Sequence, residues 1–228
     1  NPITYESLIK ELGKEEKNIF ILNQRRPAVF NKKSLEIIKN SNCKIIDLGS
    51  FEKEVKSEIK EKIESFNEIL ERLWNNDSLF ERCFIVESHS LWNSIKPVFS
   101  KMCSQRFLES IKRILLLEEF FSQFNISKIL EWAETGQEER EILAVSKKYG
   151  IKAIMLQHSM FPIGEIWKPF SRFLANFSHN HISDYQAVWG KMTYEYAISN
   201  NHVKEKLFLT GSPRHDSFFS LEKNHSKT

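Results

Sequence analysis

The chain has 228 residues, of which 41% are hydrophobic, so it can bury a sizeable core in one domain or two. Its net charge of +3 comes from well-mixed acidic and basic residues, which argues against a general nucleic-acid binder. No apolar run approaches the length of a membrane span, and three widely spaced cysteines without a CxxC pair indicate reduced thiols in a cytoplasmic protein: Cys43, Cys83 and Cys103.

The first fifty residues predict short helices alternating with short strands. A helix is expected at 5–12, closed near Gly13, and another begins at Ser34. Short apolar runs predict strands at 18–22 (NIFIL) and 44–48 (KIIDL), the second stopped by Gly49 and Ser50.

Residues 51–124 predict a largely helical segment. Apolar residues recur at steps of three and four between 51 and 74, as expected for a helix with one wet face: Val55, Ile59, Ile63, Phe66, Leu70 and Leu73. Residues 79–124 also favour helix, with an expected interruption at Pro97 and a fully apolar stretch at 114–117 that suits burial between layers. The run 83–86 (CFIV) fits a strand equally well.

From Ser127 the pattern becomes a regular alternation of strands and helices. Strands are predicted at 128–130, 152–156, 185–189 and 206–210. Helices are predicted at 138–149, with Gly150 at its end, and at 193–199. This alternation predicts a mostly parallel sheet with helices on both faces.

The connection 159–183 is long for a compact domain, and its length favours a functional loop. A short amphipathic helix at 169–177 that covers the sheet is the alternative. Its aromatic and basic residues also suit contact with a membrane surface: Trp167, Lys168, Phe170, Arg172, Phe173 and Phe177.

Ionisable residues follow several of the predicted strands. Ligands of doubly wound sheets bind at the carboxyl ends of the strands. We therefore expect His158, Glu134 and Arg25 or Arg26 to line one cleft, although turns at strand ends are often polar in any case.

Several common motifs are absent. The chain has no GxGxxG, GxxxxGK[ST], HExxH, GxSxG or Asp-x-Asp. The last absence argues against a transferase that holds a sugar diphosphate through a cation. His179 and His181 lack a matched carboxylate, so we expect no metal and no cofactor.

Three segments together resemble a known family. They are 156–158 (LQH), 185–190 (YQAVWG) and 208–216 (FLTGSPRHD). The series is similar to the late part of the N-terminal domain in GT-B-fold transferases of surface polysaccharide synthesis, such as CDP-glycerol glycerophosphotransferases and capsule-type glycosyltransferases. It covers roughly 127–216, and Ser159 stands where that family has glycine. Residues 23–27 look like an acceptor-side loop of such proteins.

The resemblance implies that residues 1–216 form a Rossmann-like, doubly wound α/β domain, the acceptor-side half of a GT-B fold. Residues 51–124 would be a helical insertion or layer, and 217–228 a linker or tail. The start at Asn1-Pro2 and the polar end suggest a piece of a longer protein. Its C-terminal partner domain would hold the nucleotide-activated donor, and the isolated chain would be inactive.

The resemblance also implies roles for individual residues. A sugar or polyol hydroxyl would attack the donor, with His158 as the first candidate for the general base and Glu134 as the second. Substrate-binding candidates are Arg25, Arg26, Glu131, Gln157, Ser159, Gly211, Ser212 and Arg214. A turn histidine, acids that favour a helix N-terminus and a solvated basic patch are the structural alternatives.

Two other functions remain open from the sequence. One is a nucleotide-sugar epimerase of the 2-epimerase type, which shares the architecture. The other is a non-enzymatic module that binds a partner or the inner face of the membrane through 159–183.

Overall fold

The structure is a computed structural model that describes residues 2–3, 5–15, 17–23, 27–134, 136–157, 182–199, 201–213 and 215. Two compact units divide the chain. The first unit combines residues 1–50 with 125–228, and the second comprises Phe51–Phe124.

Helices and strands alternate in the first unit. They are α1 (Glu6–Lys14), β1 (Ile19–Leu22), α2 (Lys32–Lys39) and β2 (Cys43–Ile46), followed after the second unit by β5 (Lys128–Glu131), α6 (Gln137–Lys148), β6 (Lys152–Leu156), β7 (Tyr185–Val188), α7 (Lys191–Ser199) and β8 (Leu207–Leu209). Short 3₁₀ turns lie at Leu48–Phe51 and Lys204–Lys206. The predicted elements are confirmed to within a few residues at their ends, and Gly150 has the expected left-handed backbone, with φ 68°.

The main sheet of this unit is parallel, and its strands follow the order β5-β6-β7-β8. Strands β1 and β2 form a separate parallel pair, in which Ile19 lies beside Cys43. The four strands follow one another in chain order, so this sheet itself contains no reversal of strand order. The predicted parallel α/β class is confirmed at this level.

One face of the sheet is covered and buried, and we call it the covered face. Its residues lie in lateral register across the strands, with Met155 between Glu131 and Gln186. Val188 and Leu207 form a core cluster with Ala197 of α7 on this face. Right-handed crossovers that advance in one direction place their helices on a common face, so we assign α6 to the same side. The opposite face leaves Leu130 42% exposed and Phe208 50% exposed.

The second unit is helical apart from one short hairpin. It contains α3 (Glu52–Trp74), α4 (Asp77–Cys83), the antiparallel strands β3 (Ile85–Val86) and β4 (His89–Ser90), and α5 (Trp92–Gln123). The run 83–86 is thus the end of a helix followed by a short strand.

Helices α3 and α5 run antiparallel. Lys112 pairs with Glu52 at 2.7 Å, whereas near the other end of α3 the Trp74 indole donates to Ser104 Oγ at 2.7 Å. Leu115, Leu116 and Leu117 are buried, as the apolar stretch predicted.

The predicted interruption at Pro97 is wrong, because α5 continues through this residue. Pro97 lies in the second turn, where the missing N–H removes a single bond to the carbonyl of Asn93. The rings of Trp92 and Phe99 meet edge to face at 5.9 Å across this turn, and Trp92 is fully buried. We infer that this packing offsets the lost hydrogen bond.

Candidate functional site

Three glutamates gather where β5 ends and α6 begins, and we call Glu131, Glu134 and Glu139 the carboxyl cluster. Glu131 is the last residue of β5, Glu134 lies in the following loop, and Glu139 is in the first turn of α6. Glu134 and Glu139 are buried. The cluster therefore lies at the carboxyl edge of the sheet, where ligands of parallel α/β sheets bind.

Glu134 ties the end of β5 to the chain entering β7. Its Oε2 accepts the amide N–H of Ile182 at 2.9 Å, and its Oε1 accepts that of Ser183 at 2.9 Å. Its backbone carbonyl accepts a hydrogen bond from Arg140 Nε at 3.0 Å. Both carboxylate oxygens thus have backbone partners, which gives Glu134 an anchoring role.

Glu131 carries a strongly shifted pKa. Burial of its carboxyl group, followed by repulsion from Glu139 and then Glu134, raises the pKa of Glu131 to about 8. The side chain therefore keeps its proton at neutral pH and exchanges it close to neutrality. A carboxyl group in this condition can donate a hydrogen bond or serve in acid–base chemistry.

Gly136 allows Glu139 to reach the cluster. A Cβ built at Gly136 would collide with Oε2 of Glu139. The backbone of Gly136 is extended, with φ −80°, so the requirement for glycine here is space rather than conformation. Any side chain at this position would displace the carboxylate of Glu139.

Gln157 holds the turn between β7 and α7. Its Oε1 accepts the amide N–H of Trp189 at 2.8 Å, and its Nε2 donates to Thr193 Oγ1 at 3.2 Å. Gln157 follows β6 directly and is buried. The structure therefore shows this predicted substrate-binding residue bridging two loops of the carboxyl edge.

The turn after β8 brings His215 to this edge. Gly211 has φ 77°, a left-handed conformation that favours glycine. The amide of His215 donates to the carbonyl of Ser212 at 3.0 Å, and its ring meets that of Trp189 edge to face at 5.1 Å. The sequence reasoning missed His215, although its place in the series 208–216 was a signal.

Gln186 is a second residue that the sequence reasoning missed. It is fully buried in the middle of β7, and in the structure neither its Oε1 nor its Nε2 has a hydrogen-bond partner. The available signal was a polar residue at a core-facing position of the strand YQAV. A buried amide left open in this way costs free energy unless a ligand or water completes it.

Several predicted site residues lie outside the described residues: Arg25, Arg26, His158, Ser159 and Arg214. His179, His181 and nearly all of the connection 159–183 also lie outside. Their roles, and the shared cleft, stay predictions.

Within the ranges that the structure describes, no group of three or more His, Cys, Asp or Glu side chains has an arrangement that could hold a metal ion, and this includes the carboxyl cluster. In the same part of the chain, none of the helices combines the length and apolarity needed to cross a membrane.

The chain was compared with protein-family models, with curated proteins and with solved structures, and nothing matched it in any of the three.

Proposed function

We propose that this chain is the acceptor-side half of a GT-B-type transferase that acts in surface glycan synthesis. It would pass a sugar or glycerophosphate group from a nucleotide-activated donor to a hydroxyl acceptor. The observation that carries the proposal is the carboxyl cluster, in which the carboxyl group of Glu131 has a pKa of about 8 at the carboxyl edge of a parallel sheet.

In this proposal the sheet is doubly wound. The structure keeps β1 and β2 as a pair separate from the four-stranded sheet. Our proposal places this pair beyond β5, so that the strand order would reverse beside the carboxyl cluster. Ligands bind at such reversal points in open α/β sheets. A second domain would hold the nucleotide of the donor, as the family resemblance implies.

The proposed chemistry is a displacement at the donor. The acceptor oxygen forms a bond to the anomeric carbon or the phosphorus, and the bond from that atom to the nucleotide's leaving oxygen breaks. A general base takes the acceptor's proton. His158 is our first candidate for this base, because the backbone amides of Ile182 and Ser183 already occupy both carboxylate oxygens of Glu134.

Kinetics of the natural protein that contains this chain test the proposal. With labelled nucleotide-activated donors, we expect transfer to a hydroxyl acceptor and no activity from the isolated chain. His158→Ala should lower kcat by about a hundredfold or more, the usual size of a lost general base, and leave donor affinity unchanged.

Arg214→Ala is the matched variant, because Arg214 follows the Gly-Ser-Pro turn near the expected junction of the domains. It should weaken binding or domain closure more than the chemical step. Isomerisation of the donor sugar without an acceptor would indicate the epimerase instead. If neither reaction occurs with any donor, the transferase assignment is wrong and a binding module is favoured.

A further inference from the structure

We propose that Glu131 and Gln186 bind a hydroxyl group of a neutral sugar or polyol on the covered face of the sheet. This inference rests on the proposed function and deepens it, because it makes the acceptor an uncharged molecule.

Glu131 and Gln186 belong to one lateral row of the sheet. Glu131 lies beside Met155, and Met155 lies beside Gln186. Laterally paired residues of parallel strands project from the same face, and two strand spacings separate their backbones by about 10 Å. Two long polar side chains therefore flank the apolar side chain of Met155 on this face.

The side chain of Gln186 requires a partner that both donates and accepts. Its amide offers two N–H donors and one carbonyl acceptor, and none is used in the structure although the residue is fully buried. A hydroxyl group meets both requirements at once, since it carries one donor and two acceptor lone pairs. Gln186 thus points to a ligand independently of the carboxyl cluster.

The charge of the cluster selects among hydroxyl ligands. Three carboxyl groups lie together at this edge. The nearby Arg140 donates its Nε–H to the backbone carbonyl of Glu134 and not to the carboxylate of that residue. A phosphorylated or acidic ligand would be repelled here, whereas a neutral hydroxyl can pair with a protonated Glu131. The hydroxyl could come from a sugar or polyol, or from an ordered water in its place.

Ligand binding to this chain distinguishes a sugar or polyol hydroxyl from an ordered water. We would titrate it at pH 7 with glycerol, glucose and glycerol 3-phosphate and follow the side-chain amide signals of Gln186 by NMR. We expect a saturable shift with glycerol or glucose, and affinity for glycerol 3-phosphate at least tenfold weaker. The absence of a saturable shift with either neutral ligand would leave water as the occupant and overturn the proposal, as would tighter binding of the phosphate.

Variants test the two contacts separately. Glu131→Gln preserves a neutral hydrogen-bonding group and should keep binding, whereas Glu131→Ala should weaken it at least tenfold. Gln186→Met removes the open amide without adding a polar group, so the protein should fold while the neutral ligand no longer binds. Glu205→Gln, at an exposed carboxyl before β8, should change nothing, and equal losses in all four variants would contradict the site.

The two proposals fail in different ways. If neutral ligands bind with this pattern of variant effects but the protein has no transferase activity, the hydroxyl site is supported and the proposed function is contradicted. If the protein instead transfers a group to an anionic acceptor at an unchanged rate in Glu131→Ala, the proposed function is supported and the hydroxyl site is contradicted.

Discussion

The carboxylate of Glu134 holds Ser183 just before β7, with 2.9 Å between Oε1 and the amide nitrogen, and a second bond of the same length joins Oε2 to Ile182. Glu134→Gln keeps one acceptor and turns an NH₂ group toward the other N–H. We expect the free energy of unfolding to fall by about 2 to 4 kcal/mol, because hydrogen bonds to charged groups are strong and a buried donor is left open. Urea denaturation measures this change.

Amide hydrogen exchange provides the local readout for Glu134. Exchange at Ile182 and Ser183 should accelerate in Glu134→Gln more than exchange elsewhere in the sheet. Glu205→Gln makes the same chemical change on an exposed side chain and should alter stability by less than about 0.5 kcal/mol. Unchanged exchange at both amides in Glu134→Gln would contradict the anchoring role.

The raised pKa of Glu131 predicts a specific pH dependence of stability. The folded protein keeps this proton up to a pKa of about 8, whereas an ordinary glutamate loses it near 4.5. The contribution to stability is therefore fully present below about pH 4.5 and is lost as pH rises through 8. Urea denaturation between pH 5 and 8 should show stability falling, and Glu131→Gln should fall less steeply. Equal slopes for both proteins would contradict the shift.

The residues around Glu131 predict how its pKa responds to substitution. Glu139→Gln removes the larger of the two repulsions on Glu131, so the pKa of Glu131 should fall. Gly136→Ala should act in the same direction, because the added Cβ takes the place of the Glu139 carboxylate. Burial is the largest cause of the shift, so the pKa should stay above 4.5 in both variants.

Glu141→Gln is the matched control for that pair of variants. Glu141 is also buried on α6, but its Oε1 accepts from Gln137 Nε2 at 2.9 Å and it does not contribute to the shift at Glu131. NMR titration of the Glu131 carboxyl group should give the wild-type midpoint in Glu141→Gln. A wild-type midpoint in Glu139→Gln as well would show that repulsion within the cluster is absent.

The two side-chain hydrogen bonds of Gln157 predict that removing both costs more stability than removing one. Gln157→Leu removes the acceptor for Trp189 N and the donor to Thr193 Oγ1, and we expect a loss of about 1 to 3 kcal/mol. Thr193→Val removes the 3.2 Å bond alone and should cost less. Urea denaturation ranks the two variants, and a larger loss in Thr193→Val would contradict the assigned bonds.

Much of the local structure was predictable because strand and helix patterns are local signals. The run KAIML gave β6 with correct bounds, and Gly150 marked the end of α6. Pro97 misled the prediction because tertiary packing around Trp92 overrides a single missing N–H. The pairing of β1 with β2 apart from the four-stranded sheet had no signal in the sequence, since strand order depends on long-range contacts.

The position of the site could be predicted from the sequence, but the contacts that each of its residues makes could not. Strand-end reasoning placed Glu131, Glu134 and Gln157 at the carboxyl edge, where the structure shows them. The sequence could not show that the backbone amides of Ile182 and Ser183 donate to the carboxylate of Glu134, because these hydrogen bonds join residues about fifty positions apart. It likewise could not show that Gln186 is buried without a partner.

The most direct test of the carboxyl cluster is a titration of Glu131 itself. Carbon-detected NMR of the Glu131 side-chain carboxyl group, in the folded protein between pH 4 and 10, measures its pKa without reference to any ligand or activity. We expect a midpoint near pH 8, because the buried carboxyl group lies beside Glu139 and Glu134. A midpoint below pH 5 would mean that the group is ionised at neutral pH, and it would contradict both the raised pKa of Glu131 and the hydroxyl site proposed on its protonated form.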